Sequence, residues 1–184
     1  MIAATQPLVP AAATVAAAVP SIEAVWEALA LVPDPEIPVI SIVELGIVRA
    51  VAWDGPRLRI EVTPTYSGCP ATEMIGTLIR EQLAILGIYA VDLVQRLSPP
   101  WSSDWMAPEA KAKLTAFGIA PPHLTRNRID VAGISALRRA SAVIPCPRCA
   151  SPQTTLLSQF GSTACKAQYR CKACLEPFDY FKPH

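Results

Sequence analysis

Histidine is almost missing from this chain: His123 and His184 are the only two in 184 residues. That scarcity works against the usual activated nucleophile, in which an imidazole draws the proton from a serine or cysteine. His123 follows Pro121-Pro122 and is read as solvated, and terminal His184 is assigned no role. A phosphate-binding loop, a dinucleotide fingerprint, a His-Glu-x-x-His pattern and a nucleophile elbow are also lacking. These gaps argue against an enzyme that turns over substrate alone. No run of about 18 apolar residues occurs, so no membrane-crossing helix is expected. Residues 1–20 are rich in Ala, Val and Pro and carry no Lys or Arg; the first basic side chain is Arg49. A secretory signal needs a positive segment ahead of its apolar stretch. Pro7, Pro10 and Pro20 also interrupt any helix, so this stretch is read as a disordered leader.

What is present divides unevenly. The formal net charge is only +1. Residues 1–120 hold 7 Lys+Arg against 12 Asp+Glu, and residues 121–184 hold 9 against 3. An acidic half and a basic half suit two modules. The basic excess is too small to argue for nucleic acid, and no basic-aromatic stripe accompanies it.

Ser21 is a plausible helix cap, followed by Ile22, Val25, Trp26 and Leu29 on one helical face. Pro33, Pro35 and Pro38 make residues 34–46 irregular. Residues 47–53 read as a strand, Asp54-Gly55 as a turn, and Leu58, Ile60 and Val62 as the buried side of a second, antiparallel strand. Pro70 suits the first position of a helix, which would make Cys69 its cap. The buried face of that helix is expected to be Ala71, Ile75, Leu78, Ile79, Leu83 and Leu86, with Gly87 as its stop. Residues 89–97 read as a third strand, and 108–117 as a short helix ended by Gly118. The fold expected is α+β, with helices packed on a three- to four-stranded mixed sheet, followed by a small zinc ribbon. The divisions are a leader at 1–20, an α+β domain at 21–120, a basic linker with some helical tendency at 121–142, and the ribbon at 143–184.

Five of the six cysteines lie in the last 39 residues. Cys146-Pro147-Arg148-Cys149 and Cys171-Lys172-Ala173-Cys174 stand 21 residues apart, with strand-like stretches between them. Two such turns aim four sulfurs at one tetrahedral centre. The reading is structural zinc held by Cys146, Cys149, Cys171 and Cys174; an iron centre and redox dithiols are the alternatives. A segment this short buries too little apolar surface to fold reliably alone, and a metal would supply the missing free energy. Cys165 is left over, either a small buried residue or a reactive or transiently metal-binding thiol.

Cys69 lies at a strand-to-helix junction, where the helix's positive end would favour its thiolate. Asp34, Glu36 and Glu44 would come close to it if the acidic loop folds over the same sheet edge. Asp34 and Glu36 could instead simply cap their own loop, and Cys69 could be a buried hydrophobe. As a functional group the set suits a labile iron or iron–sulfur ligand better than a nucleophile, because no histidine lies near in sequence.

Several stretches carry a family resemblance. Asp34-Pro35-Glu36-Ile37-Pro38, Glu44-Leu45-Gly46-Ile47-Val48 and the run from Thr63 to Glu73 resemble the iron–sulfur assembly family that includes SufT. The runs Trp101–Met106, Gly118–Pro122, Phe160–Lys166 and Glu176–Lys182 narrow this to the PaaD-type family, encoded with the ring 1,2-phenylacetyl-CoA epoxidase. The resemblance implies a cytoplasmic, non-catalytic accessory or maturation factor of phenylacetate catabolism. Its partners would be the oxygenase and reductase components of the epoxidase and the general iron–sulfur assembly machinery, with no nucleic acid and no membrane. Its clients would be the di-iron or iron–sulfur centres of those components. Cys69 would be the transfer ligand, with Asp34 and Glu36 shaping its loop, and iron or a cluster would be held only transiently. A homodimer would follow if one cluster were bridged by two Cys69 thiolates. The alternative role is a stoichiometric structural or electron-transfer subunit. Two departures stand out: Glu44-Leu45-Gly46 where the family usually has Asp-Leu-Gly, and Pro183 where many members have a further cysteine.

Overall fold

A computed structural model describes residues 19–123 and 143–183. The leader expected at 1–20 and the linker expected at 121–142 therefore lie largely outside the described residues. Helix α1 (Ile22–Ala30) starts where Ser21 Oγ accepts the Ala24 amide at 3.2 Å, and it buries Val25, Ala28 and Leu29. Strands β1 (Val48–Asp54) and β2 (Arg57–Val62) form an antiparallel hairpin that pairs Trp53 with Leu58. Leu58, Ile60 and Val62 alternate into the core, as the period of two requires. Helix α2 (Ala71–Ile85) crosses over to β3 (Val91–Gln95), which runs parallel to β2. A parallel neighbour needs such a crossover. The first sheet is thus mixed, in the order β1-β2-β3.

Two details of α2 correct the sequence reading. The helix begins at Ala71 with Pro70 as its cap, so Cys69 stands one residue outside it. Leu86 is 36% exposed; the buried face ends at Leu83, and the Gly87 turn hands the next core position to Ile88.

Helix α3 (Pro108–Phe117) ends at Gly118, whose φ of +93° is left-handed. Immediately after it comes β4 (Ile119–Ala120). The ribbon contributes β5 (Thr154–Ser158), β6 (Lys166–Cys171) and β7 (Pro177–Phe181). β4 pairs in parallel with β7, giving a second sheet in the order β4-β7-β6-β5. That sheet spans the boundary drawn at residue 120. Phe181, 1% exposed, joins the core of the α+β domain and lies 5.8 Å from the Trp101 ring. A separate small core holds Ala120, Ile144, Ala167, Phe178 and Tyr180 with Cys146 and Cys171. No helix among the described residues is long and apolar enough to cross a membrane.

The Glu44-Leu45-Gly46 turn docks the 101–107 segment. Trp101 Nε1 donates to the Leu45 carbonyl at 3.1 Å, and the Ala107 amide donates to the Glu44 carbonyl at 2.8 Å. Gly46 has φ +74°, and a Cβ there would stand 2.7 Å from the Trp105 carbonyl oxygen. Only glycine meets both demands.

Candidate functional site

Two groups of cysteines stand out, and they are built differently. In the ribbon, Cys146 Sγ is 3.7 Å from Cys174 Sγ, and Cys149 Sγ is 3.6 Å from Cys171 Sγ. All four sulfurs lie within 4.8 Å of one another. A tetrahedral ion with metal–sulfur bonds of about 2.3 Å spaces its sulfurs about 3.8 Å apart. The cage therefore fits such an ion. The amides of Ala173 and Cys174 point at Cys171 Sγ, 3.4 and 3.5 Å away. These amides, that of Cys174 first, pull the Cys171 thiol well below its usual value. Turn geometry sets the cage: the Ala150 amide donates to the Cys146 carbonyl at 2.8 Å, and Ala150 and Leu175 both take left-handed backbone.

The second group is assembled from three loops. The first is the acidic loop, pinned by the Pro33–Ser41 bridge and by buried Ile37, Ile40 and Ile42. Within it Asp34 is buried, and its Oδ1 accepts the amides of Glu36 and Ile37, each at 2.9 Å. Asp34 therefore does cap its own loop. Burial raises its pKa against the pull of those two amides. The second loop joins β2 to α2. There the Cys69 amide donates to the Tyr66 carbonyl at 3.2 Å, and Gly68, at φ +81°, makes the turn. Cys69 is half-buried.

Burial pushes the Cys69 thiol up, helped by the charges of Glu36 and Asp34; the Ala71 amide and the Tyr66 hydroxyl pull the other way. The expectation of a thiolate favoured at this helix end is thus corrected, because desolvation outweighs one amide. Tyr66 is pushed up to about 12 by its own desolvation, and then by the neighbouring Cys69, Glu36 and Cys165.

The third loop is one the sequence reading left apart. Cys165, 3% exposed, stands just before β6 with its sulfur 3.6 Å from Glu36 Oε2. Burial raises its thiol to about 11. Glu36 and Asp34 thus lie within electrostatic reach of Cys69, Tyr66 hydrogen-bonds it, and Cys165 meets Glu36 from the ribbon side. Glu44 faces elsewhere: its Oε2 accepts the Ser41 amide at 2.9 Å, and its Oε1 takes the Lys113 ammonium at 2.6 Å. His123 is part-buried rather than free in solvent: its ring stacks on Tyr180 at 6.3 Å, and its buried Nε2 has no hydrogen-bond partner among the described residues. The proline-rich approach reads as loop, but parallel pairing of β4 with β7 carries the chain over the ribbon core. Tyr66 and Ser67 also line an open cleft of about 370 Å³ with Trp101 and Pro100.

Nothing in the sequence placed Cys165 at this site, since Glu36 lies 129 residues earlier. The one available signal was its status as the odd thiol beside two complete pairs.

Two family models match successive parts of the chain. The family model for iron–sulfur cluster assembly proteins matches residues 22–92, and that for the PaaD zinc beta ribbon domain matches residues 132–182. A protein of Escherichia coli (strain K12), whose provisional name makes it one of the subunits of 1,2-phenylacetyl-CoA epoxidase, is 49% identical over 163 residues, spanning 89% of this chain and 93% of that one. Two solved structures are also similar. One is a domain of unknown function from Bacillus anthracis, 29% identical, covering 50% of this chain and 89% of the other with a TM-score of 0.46. The other is a conserved hypothetical protein from Thermotoga maritima, 30% identical, covering 51% and 93% with a TM-score of 0.44. With both domain models in sequence and a relative matched along nearly its whole length, the chain belongs to the PaaD family, an iron–sulfur assembly-type domain followed by a zinc beta ribbon.

Proposed function

We propose that this protein is a non-catalytic maturation factor that presents iron, or a fragment of an iron–sulfur cluster, to the metal centres of a ring 1,2-phenylacetyl-CoA epoxidase. The relative's name places that protein in the epoxidase system, and the assembly-type domain favours an accessory part in it. The observation that carries the reading is the company Cys69 keeps. The Tyr66 hydroxyl hydrogen-bonds its thiol and the charges of Glu36 and Asp34 bear on it, while His123 is packed on the ribbon core. A thiol beside carboxylates and a phenol, with no imidazole next to it among the described residues, is a poor nucleophile and a serviceable ligand for ferrous iron.

Zinc in the Cys146, Cys149, Cys171 and Cys174 cage would be structural. Four protein sulfurs leave no open position for chemistry, and zinc's contribution there is to hold the two ribbon turns together. The oxygenase and reductase components are the proposed partners, met in the cytoplasm, along with the general iron–sulfur assembly machinery. A second reading, a stoichiometric structural or electron-transfer subunit, is favoured by the relative's designation as a subunit.

The test is the iron content of the oxygenase and reductase components purified from cells in which Cys69→Ala replaces the native protein, once the variant is shown to be folded and zinc-loaded. The maturation reading expects iron or cluster occupancy to fall in at least one component, and the depleted one is the client. Full metallation with failed epoxidation moves the protein into the assembled complex as a subunit. Unchanged iron and unchanged activity make Cys69 a packing residue.

A further inference from the structure

Cys165 sits where a packing residue would be expected to meet carbon, yet its sulfur meets oxygen on two sides. Glu36 Oε2 is 3.6 Å away, and Thr163 Oγ1 is 3.0 Å away. The ribbon aims it there. The Cys165 carbonyl accepts the Lys182 amide at 2.9 Å, and the Lys166 amide closes back on the Thr163 carbonyl at 3.1 Å. Across the gap, Glu36 and Tyr66 lie within electrostatic reach of both Cys69 and Cys165. Both cysteines pack against the same core, one from each module.

We propose that Cys165 is the second thiol ligand of the iron site at Cys69, with Glu36 as the carboxylate donor between them, so that the site is complete only when the ribbon is seated on the α+β domain. The inference rests on the reading of Cys69 as the iron-presenting residue. Two thiolates and a carboxylate form a mixed sulfur and oxygen set that ferrous iron accepts. Ligation makes two iron–sulfur bonds, releases two thiol protons to solvent, and changes no oxidation state. Among the described residues, only the four ribbon cysteines bring three or more ligand atoms within 4.8 Å of one another. The Cys69 group is therefore more open than the cage and must contract around an ion by side-chain rotation. A site that pays for its own closure holds its ion less tightly, which delivery requires.

The experiment titrates the zinc-loaded full chain with ferrous iron under anaerobic conditions and follows sulfur-to-iron charge-transfer absorption. Wild type should bind one equivalent. Cys165→Ser should weaken binding by about tenfold or more and remove roughly half of the band, as should Cys69→Ala. Glu36→Gln should weaken binding and keep the band. Because Cys165 is buried, a wild-type measurement stands beside the variants: cadmium NMR should show an added ion with two sulfur ligands, distinct from the four-sulfur site.

Wild-type affinity and an undiminished band in Cys165→Ser, or a one-sulfur cadmium resonance, would overturn the proposal. If Cys69→Ala alone abolishes the band, Cys165 is packing and the maturation reading survives. If both thiols are needed for binding but cellular iron in the epoxidase components ignores Cys69→Ala, the site stands and the maturation reading falls. No iron band in wild type overturns the proposal and leaves cellular iron content to judge the maturation reading.

Discussion

The same residue serves opposite ends in the two cysteine groups. In the ribbon, turns preset four sulfurs at tetrahedral spacing and aim amides at Cys171. At the loop edge, Cys69 and Cys165 are desolvated and both feel the charge of Glu36, which disfavours their thiolates. The first arrangement prepares a cation site in advance and closes it. The second leaves its side chains unconverged and its thiols raised, as the proposed transient site would need. A cage of this kind suits permanence, and an open pair suits exchange. One chain can hold both because spacing governs the first and tertiary contact governs the second.

The largest expected effect breaks the comparison at the cage. Stripping the metal with a chelator, or Cys146→Ser, should unfold the ribbon, since structural zinc contributes on the order of 10 kcal/mol in small domains. Limited proteolysis would then cut the ribbon while the α+β domain persists. A ribbon that stays protected without metal would make the cage incidental to folding.

Next in size is Phe181→Ala, which tests whether the two regions share stability. Removing a fully buried aromatic costs about 3–5 kcal/mol. Because Phe181 packs in the α+β core, Trp101 fluorescence and ribbon melting should shift together. Separate transitions, with only the ribbon affected, would show that the modules fold independently.

The smallest effect is electrostatic and sharpens the contrast between buried and exposed carboxyls. The Arg57 guanidinium holds exposed Asp92 below its usual 3.8, tying β2 to β3. A depressed carboxyl contributes stability that is present above 3.8 and is lost as pH falls through the lower folded value. Asp92→Asn should therefore flatten acid-side melting temperatures slightly while leaving zinc retention in the ribbon unaltered. Unfolding measured from pH 5 to pH 2 in low salt checks this, and an unchanged acid profile would show that solvent screens the pair completely.

Local pattern was readable and long-range contact was not. Period and punctuation gave α1 and α3, the latter bounded by Pro108 and Gly118. Alternation gave β2, and Cys-x-x-Cys spacing gave the cage. Strand β4 escaped because two residues carry no period, and its pairing with β7 is set by the far end of the chain. The sign of the Cys69 shift was missed because sequence reveals a helix start but not how dry it is. Cys165 could be counted but not placed. Glu44 was grouped with Cys69 by charge and nearness in sequence, whereas its actual partners, Ser41 and Lys113, follow from how the loop turns.

The parallel pairing of β4 with β7 has a further consequence. The segment between residues 123 and 143 leads from β4 towards β5, the two edge strands of one four-stranded sheet, with β7 and β6 between them. A peptide bond broken inside that segment would leave two fragments whose shared surface includes β4, Phe181 and the Cys165–Glu36 contact. The intact connection acts as a tether that raises the effective concentration of one fragment near the other. Fragment complementation across such a cut should then depend on zinc, making the metal in one half the condition for assembling the thiol pair between both.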